Sequence, residues 1–183
     1  MKYFIKIFKE SIIIVILSSI FGLLSGTLLS SNDEILYTIP ILLLILPALN
    51  SLIGDISTVL VSRLTTHLYI GTILPKIQRS ERLKEDFYGL LFTLLLSLGF
   101  LIIAGFSIGI ISGVKLVNPF LIILIMILTI IILFFIMFIL LFLSAMYLFK
   151  RGTDPNNFLI PFITSLADFL TPLFIIVFIT IFI

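Results

Sequence analysis

Cysteine is absent from the sequence, and histidine occurs once, at position 67. Without cysteine the chain can form neither a thiolate metal site nor a cysteine nucleophile, and cysteine usage indicates no redox compartment. One histidine is too few for a histidine metal cluster, and the sequence contains neither a Ser–His–Asp set nor a phosphate-binding glycine loop. We therefore expect no enzymatic activity and no cofactor.

Charged residues are also scarce. They make up 11% of the 183 residues, whereas soluble domains carry about 25%. Hydrophobic residues make up 61% of the chain, and the mean hydropathy is +1.41. This composition predicts an integral membrane protein. The formal net charge of +2 is too small to indicate a nucleic-acid partner.

The few charged residues divide the chain into five apolar runs, each long enough for one membrane crossing of about 20 residues. The runs are continuous rather than alternating, so they predict helices. The first run is longer than the apolar part of a signal peptide, and we expect it to be retained. We expect an all-α integral membrane protein with a single five-helix domain over residues 1–183 and no cytoplasmic regulatory domain. The predicted spans are about 11–32, 35–62, 87–113, 117–149 and 157–183.

Lysine and arginine are distributed unevenly between the two ends of these spans. Ten of the eleven, including Lys2, Arg63 and Arg79, lie on the side of the N-terminus, and Lys115 lies on the other side. Basic residues are enriched in cytoplasmic loops. We therefore predict a cytoplasmic N-terminus and, after five crossings, an extracytoplasmic C-terminus. The same bias predicts that a second copy would lie parallel to the first.

Glycines recur at intervals of four residues in two of the runs. Gly22 and Gly26 lie in the first, and Gly105, Gly109 and Gly113 lie in the third. This interval places them on one helix face, where the absence of side chains lets two helices approach closely. We interpret both sets as helix-packing surfaces.

The second predicted span carries a polar stripe on an otherwise apolar helix. Pro47 near its start can bend the helix and leave a backbone carbonyl free. Intervals of three and four residues place the polar side chains on one face, with Asp55 as the carboxylate within it. The members of the stripe are Ser51, Asp55, Thr58, Ser62 and Thr65, bordered by Asn50, Gly54 and Ser57.

The fifth predicted span repeats this design around Asp168, the only charged residue after Asp154. A carboxylate inside a membrane-spanning helix costs at least ~2.5–3.5 kcal/mol, so its presence indicates a function or a partner. The stripe runs at intervals of four, three and four residues through Pro161, Ser165, Asp168 and Pro172, with Thr164 and Thr171 adjacent.

The two carboxylates are expected at a similar depth. If Arg63 marks the inner end of the second span, Asp55 lies about 12 Å from that end, and Asp168 lies about 16 Å from the start of the fifth span. Two acids at one level, lined by hydroxyl groups, predict a cation site in a water-filled path. Two alternatives stay open: an ion pair between Asp168 and Arg63, or a protonated acid. His67 is expected at the membrane interface.

Two stretches of the chain resemble the membrane domain of MgtE-type magnesium transporters and of their eukaryotic solute-carrier relatives. In the second span, PALNSLIGDISTVLVSRLTT is similar to the family pattern of a proline-rich start, Gly-Asn, a downstream threonine and then Ser-Arg-Leu. In the fifth, DPNNFLIPFITSLADF is similar to the family's Asp-Pro, then Pro, then Thr-Ser/Thr-x-x-Asp. The five-helix layout with an external C-terminus also agrees, so the resemblance extends over the whole chain.

The resemblance implies a pore at a two-fold axis between two membrane domains, lined by the second and fifth helices. Asp168 matches the family's pore acid that binds magnesium. Asp55 departs from the family, which has asparagine at this position, so two copies would place four carboxylates around the axis where two are usual. The bacterial cytoplasmic sensing domains have no counterpart in this sequence, which leaves the mode of gating open. In this respect the chain resembles the half-unit that the eukaryotic relatives carry twice.

We therefore expect a divalent cation transporter or channel with Mg²⁺ as the transported ion and Asp168 and Asp55 as its acidic ligands. Mg²⁺ is usually bound by one or two carboxylates together with retained water. The expected partners are the lipid bilayer and either a second, parallel copy or a sister half-unit, in a multi-pass protein of a prokaryotic plasma membrane. The residues expected to line the pore are Asn50, Ser51, Thr58, Ser62, Thr164, Ser165 and Thr171.

Two other functions stay open on the sequence alone. The acids could relay H⁺ or Na⁺ in a coupled carrier of another solute, which would need a proton or sodium gradient. The chain could instead be a subunit of a membrane assembly that transports nothing, which would show no ion dependence.

Overall fold

The structure, a computed structural model, describes residues 2–76, 78 and 80–182. Arg79, part of the basic bias, and Ile183, the end of the predicted fifth span, lie outside the described residues. All regular secondary structure within those ranges is helical, and five helices are long and apolar enough to cross a membrane. The predicted all-α membrane protein with five spans is thus confirmed. The helices are α1 (Lys2–Ser31), α2 (Asp33–Thr38), α3 (Ile41–Ile70), α4 (Glu81–Ile111), α5 (Pro119–Lys150) and α6 (Pro155–Phe182).

Helix α3, which corresponds to the second predicted span of 35–62, begins and ends later than that span. The chain leaves the helical conformation at Ile39 (φ −125°, ψ 72°), because the proline that follows disfavours that conformation in the residue before it. Residues 35–38 therefore belong to the short helix α2. At the other end, α3 continues past Arg63 to Ile70 and stops at Gly71, whose φ of 80° is left-handed.

The third span also starts earlier than predicted. Helix α4 begins at Glu81, where the hydroxyl of Ser80 accepts a hydrogen bond from the backbone N–H of Leu83 at 3.4 Å. The connection between α3 and α4 is consequently short and spans 71–80. Asp86, which the sequence placed outside the spans, lies in the second turn of a membrane helix.

Helix α3 lies at the centre of the bundle and packs against α4, α5 and α6. Its core side chains, such as Ile41, Leu49 and Ile53, are almost completely buried. Helix α6 packs against α3, α5 and α1. Most apolar side chains described on α1 are exposed, as expected for a helix that faces lipid. The two helices with polar stripes, α3 and α6, are therefore direct neighbours.

Two of the glycines in α4 form the predicted packing surface. A Cβ added at Gly109 would lie 2.5 Å from Cδ1 of Ile41, and one at Gly105 would lie 3.0 Å from Cγ1 of Ile45. The third, Gly113, lies beyond the end of α4 with a φ of 70°, so its role there is conformational. The prediction for Gly22 and Gly26 is wrong within one chain, because a Cβ at either would meet no described atom within 4 Å.

Replacing Gly109 with leucine should destabilise the contact between α3 and α4. The new side chain would have to displace Ile41, and overpacking of this kind costs about 1–3 kcal/mol. We expect the melting temperature of the detergent-solubilised protein to fall by a few degrees. Gly99→Leu on the same helix is the control, because a Cβ there meets nothing within 4 Å. Equal melting temperatures for the two variants would contradict this packing.

Candidate functional site

A polar cavity of about 330 Å³ lies between α3 and α6. The carboxylates of Asp55 and Asp168, one from each helix, line it and are exposed. Asn50, Ser51 and Thr164 add amide and hydroxyl groups to the wall. The structure thus brings the two predicted acids and three of the predicted pore-lining residues to one place. Its complete lining is Pro47, Asn50, Ser51, Gly54, Asp55, Thr164 and Asp168.

The spacing of residues along the two helices explains this convergence. On α3 the lining residues follow one another at intervals of three, one, three and one, so they share one face over two turns. On α6 Thr164 and Asp168 are one turn apart. Gly54 lies where the two helices are close, because a Cβ added there would be in ordinary van der Waals contact with Cγ2 of Thr164, at 3.9 Å. A side chain longer than alanine at this position would have to extend into the cavity.

Four of the predicted pore-lining residues do not line this cavity. Thr171 is completely buried, so it faces the interior of the bundle and its prediction as a pore residue is wrong. Ser165 is partly buried, and its hydroxyl donates to the carbonyl of Pro161 at 3.2 Å. Thr58 and Ser62 lie one and two turns from Asp55 toward the end of α3 and are partly exposed. The polar stripes are thus longer than the cavity.

A buried serine of α1 supports α6 at the level of the site. Pro172 has no N–H, so the carbonyl of Asp168, four residues earlier, lacks its helical donor. The hydroxyl of Ser25 donates to that carbonyl at 2.7 Å. The backbone of Asp168 is therefore satisfied from α1, while its side chain points into the cavity between α3 and α6.

Neither carboxylate of the cavity has a basic partner among the side chains that the structure describes. In the part of the chain that the structure describes, the ion pairs of basic side chains involve Asp86, Glu85 and Glu81, not Asp55 or Asp168. The alternative of an ion pair between Asp168 and Arg63 is therefore wrong. The same residues contain no group of three or more acidic or histidine side chains that could hold a metal alone. One copy thus brings two carboxylates to the cavity.

Asp55 also borders a second, larger cavity of about 620 Å³ between α3 and α4. Ser51 and Asp55 line both spaces, whereas the rest of the second one is mostly apolar, including Phe100 and Ile108. The carboxylate of Asp55 therefore stands at the boundary between a polar and an apolar space. Asp168 lines the polar one.

Sequence reasoning missed a second polar cluster, which joins α3 to α4. The carboxylate of Asp86 is 1% exposed and lies 2.6 Å from the guanidinium of Arg63 and 3.3 Å from Nε2 of His67. His67, expected at the membrane interface, is bound into this cluster. The interval of four residues between Arg63 and His67 places them on one face and was a usable signal. The acid could not be identified, because its partners Arg63 and His67 lie on another helix, 23 and 19 residues away in sequence.

Comparison with known families places this architecture. No curated protein and no solved structure matches the chain. A family model described as a divalent cation transporter, MgtE, matches residues 46–179. This range covers more than half of the chain and includes both acids of the cavity together with α3, from Leu46 onward, and most of α6. The chain belongs to the MgtE family of divalent cation transporters.

Proposed function

We propose that the protein carries Mg²⁺ across the membrane through a pore lined by α3 and α6, with Asp168 and Asp55 as its acidic ligands. One observation carries the proposal: two exposed carboxylates from neighbouring membrane helices line one polar cavity and have no basic partner among the described residues. Charges at this depth need neutralisation, and a transported cation supplies it. Membership of a divalent cation transporter family agrees with this chemistry.

The composition of the cavity fits an ion that keeps much of its water. Mg²⁺ dehydrates reluctantly and is usually held by one or two carboxylates plus water. The hydroxyls of Ser51 and Thr164 supply oxygen atoms that can accept hydrogen bonds from such water. Thr58 and Ser62 extend the hydrophilic path along α3 toward the cytoplasm. The protein would thus recognise a hydrated ion through few direct ligands.

A second copy would complete the site. Asp55 and Asp168 are exposed on the single chain, and an exposed carboxylate facing lipid is costly. A parallel copy related by a two-fold axis would cover both acids and close the path with the same helices. A sister half-unit of similar sequence could take the same place. In either arrangement the axis runs beside the cavity between α3 and α6.

The orientation follows from the basic residues. We place the N-terminus in the cytoplasm of a prokaryotic cell and the protein in its plasma membrane, because ten of the eleven lysines and arginines lie on that side. A single cysteine at Lys76 should then be protected from an impermeant thiol reagent in intact cells, and one at Lys115 should react. The reverse pattern would overturn the orientation.

Purified protein in liposomes tests the transport proposal. We expect Mg²⁺ influx down its own gradient, recorded with an enclosed magnesium-sensitive dye, without any gradient of protons or sodium. Parallel assays with Mn²⁺, Co²⁺ and Ca²⁺ give the ion preference. Flux that appears only with a proton or sodium gradient would favour a coupled carrier. No flux of any divalent ion would favour an assembly subunit.

Replacing Asp55 with asparagine should weaken Mg²⁺ binding without stopping transport. Asparagine keeps the shape of the aspartate side chain and one of its oxygen atoms. The family itself has asparagine at this position. We expect the half-saturating Mg²⁺ concentration to rise by up to about tenfold, roughly 1.4 kcal/mol, with the maximal rate largely retained. Flux titrations over Mg²⁺ concentration measure both quantities. Complete loss of flux would make Asp55 an essential ligand and contradict the expectation.

A further inference from the structure

The cluster of Asp86, Arg63, His67 and Thr72 forms a second polar centre, separate from the cavity. Nε of Arg63 donates to Oδ1 of Asp86 at 2.6 Å, and Nη2 lies 2.6 Å from the same oxygen. Nε2 of His67 lies 3.3 Å from Oδ2, and Nδ1 of His67 lies 2.8 Å from the hydroxyl of Thr72. Helices α3 and α4 therefore meet at one buried carboxylate, and Thr72 from the connection between them contacts His67.

We propose that Arg63, His67 and Asp86 are positioning residues that fix α3 against α4 and thereby hold Asp55 in the cation cavity. This inference rests on the proposed function of that cavity. Arg63 lies eight residues after Asp55, about 12 Å along the same helix. None of the three residues lines the cavity, so they act on the ion only through the placement of α3.

Arg63 and His67, one turn apart on α3, both lie against the carboxylate of Asp86. Nε and Nη2 of Arg63 reach Oδ1 at 2.6 Å, whereas Oδ2, 3.3 Å from Nε2 of His67, has no hydrogen-bond partner among the described residues. The bond from Arg63 therefore fixes α3 against α4, and the close approach of His67 limits the rotation of α3 about that bond. Because Asp55 belongs to the same rigid helix, a rotation of α3 would move its side chain away from Asp168.

The burial of Asp86 makes the ion pair with Arg63 costly to break. Its side chain is 1% exposed, and a buried carboxylate that loses its cation remains uncompensated in a poorly solvated site. Two other ion pairs near the start of α4 differ in this respect. Arg82–Glu85 and Lys84–Glu81 are exposed and lie within α4, so they join no two helices. Exposed pairs of this kind contribute little, which makes Arg82 a matched control.

The test uses three variants: Arg63→Gln, Asp86→Asn and the double variant that carries both changes. Arg82→Gln is the control. We expect Arg63→Gln to raise the half-saturating Mg²⁺ concentration by about tenfold or more with a smaller effect on the maximal rate of the folded protein. Adding Asp86→Asn should recover part of this loss, because asparagine needs no cation. Arg82→Gln should behave as the unmodified chain. A purely structural role would reduce the amount of folded protein without changing the half-saturating concentration.

A second readout does not depend on transport. The sequence contains no cysteine, so the pair G54C/T164C introduces the only thiols, at positions where α3 and α6 are in contact. We expect disulfide formation on mild oxidation to slow severalfold when Arg63→Gln is added and to recover in the double variant. If the unmodified chain moves no Mg²⁺, the proposed function fails. The cross-linking experiment still tests whether Arg63 and Asp86 position α3. If Arg63→Gln does not fold, Asp86→Asn alone must slow cross-linking. Equal cross-linking in the folded variants, or the same slowing in Arg82→Gln, would overturn the inference.

Discussion

Replacing Asp168 with asparagine is expected to remove most Mg²⁺ flux. The substitution keeps the size of the side chain but removes the carboxylate that α6 contributes to the cavity. In a two-fold assembly both copies lose it at once. Because Mg²⁺ is held by very few carboxylates, we expect a loss well above tenfold, more than about 1.4 kcal/mol. Magnesium-sensitive dye in proteoliposomes gives the flux, and calorimetric titration gives the binding.

Asp33→Asn provides the matched control for this experiment. It makes the same chemical change at an exposed carboxylate at the start of α2, outside the cavity. Flux should remain close to that of the unmodified chain. Unchanged Mg²⁺ binding in Asp168→Asn would refute the site. Equal losses in the two variants would show that the effect comes from overall charge rather than from the cavity.

A bulky side chain at Gly54 should block the same path by steric means. Gly54 lines the cavity at the point where α3 and α6 are close, and a Cβ there would be in ordinary contact with Thr164, at 3.9 Å. Alanine therefore fits, whereas leucine has to extend into the 330 Å³ between the two carboxylates. We expect Gly54→Leu to lower flux more than about tenfold and Gly54→Ala to lower it much less.

The Gly54 series separates blockage from unfolding. Gly99→Leu on α4 makes the same change where a Cβ meets nothing within 4 Å, so its flux should stay high. Melting curves of all three proteins in detergent show whether the fold survives. A folded Gly54→Leu with normal flux would place the ion path elsewhere.

The architecture and the two acids were predictable because the signals for them are local. Apolar runs of sufficient length define membrane helices wherever they occur. The 3.6-residue period then places Asp55 with Ser51, and Asp168 with Thr164, on single helix faces. That these faces meet across one cavity did not follow from either helix alone. The family resemblance implied one pore lined by both helices, and that pore stays a proposal.

The errors arose where tertiary contacts decide the outcome. The last turns of α3 contain Arg63 and His67, and in the sequence these residues look like the polar end of a membrane span. In the structure both lie inside the helix and contact Asp86 of α4. Thr171 is adjacent to the stripe of Asp168 on α6. Helical periodicity predicts which way such a side chain points but not what it packs against, and Thr171 packs into the core of the bundle. Gly22 and Gly26 have the spacing of a packing motif, yet a Cβ added at either would meet none of the described atoms within 4 Å.

The hydrogen bond from Ser25 to the carbonyl of Asp168 has a consequence for biosynthesis. Helix α1 leaves the ribosome before α6, because it precedes α6 in the chain. Until α6 docks against α1, the carbonyl that Pro172 leaves without a donor has no partner inside the bilayer, which costs several kcal/mol. The docking of α6 against α1 therefore completes the backbone hydrogen bonding of α6. The carboxylate of Asp168 takes its place on the cavity side of α6 in the same step, so a chain in which α6 has not docked lacks the finished cavity between α3 and α6.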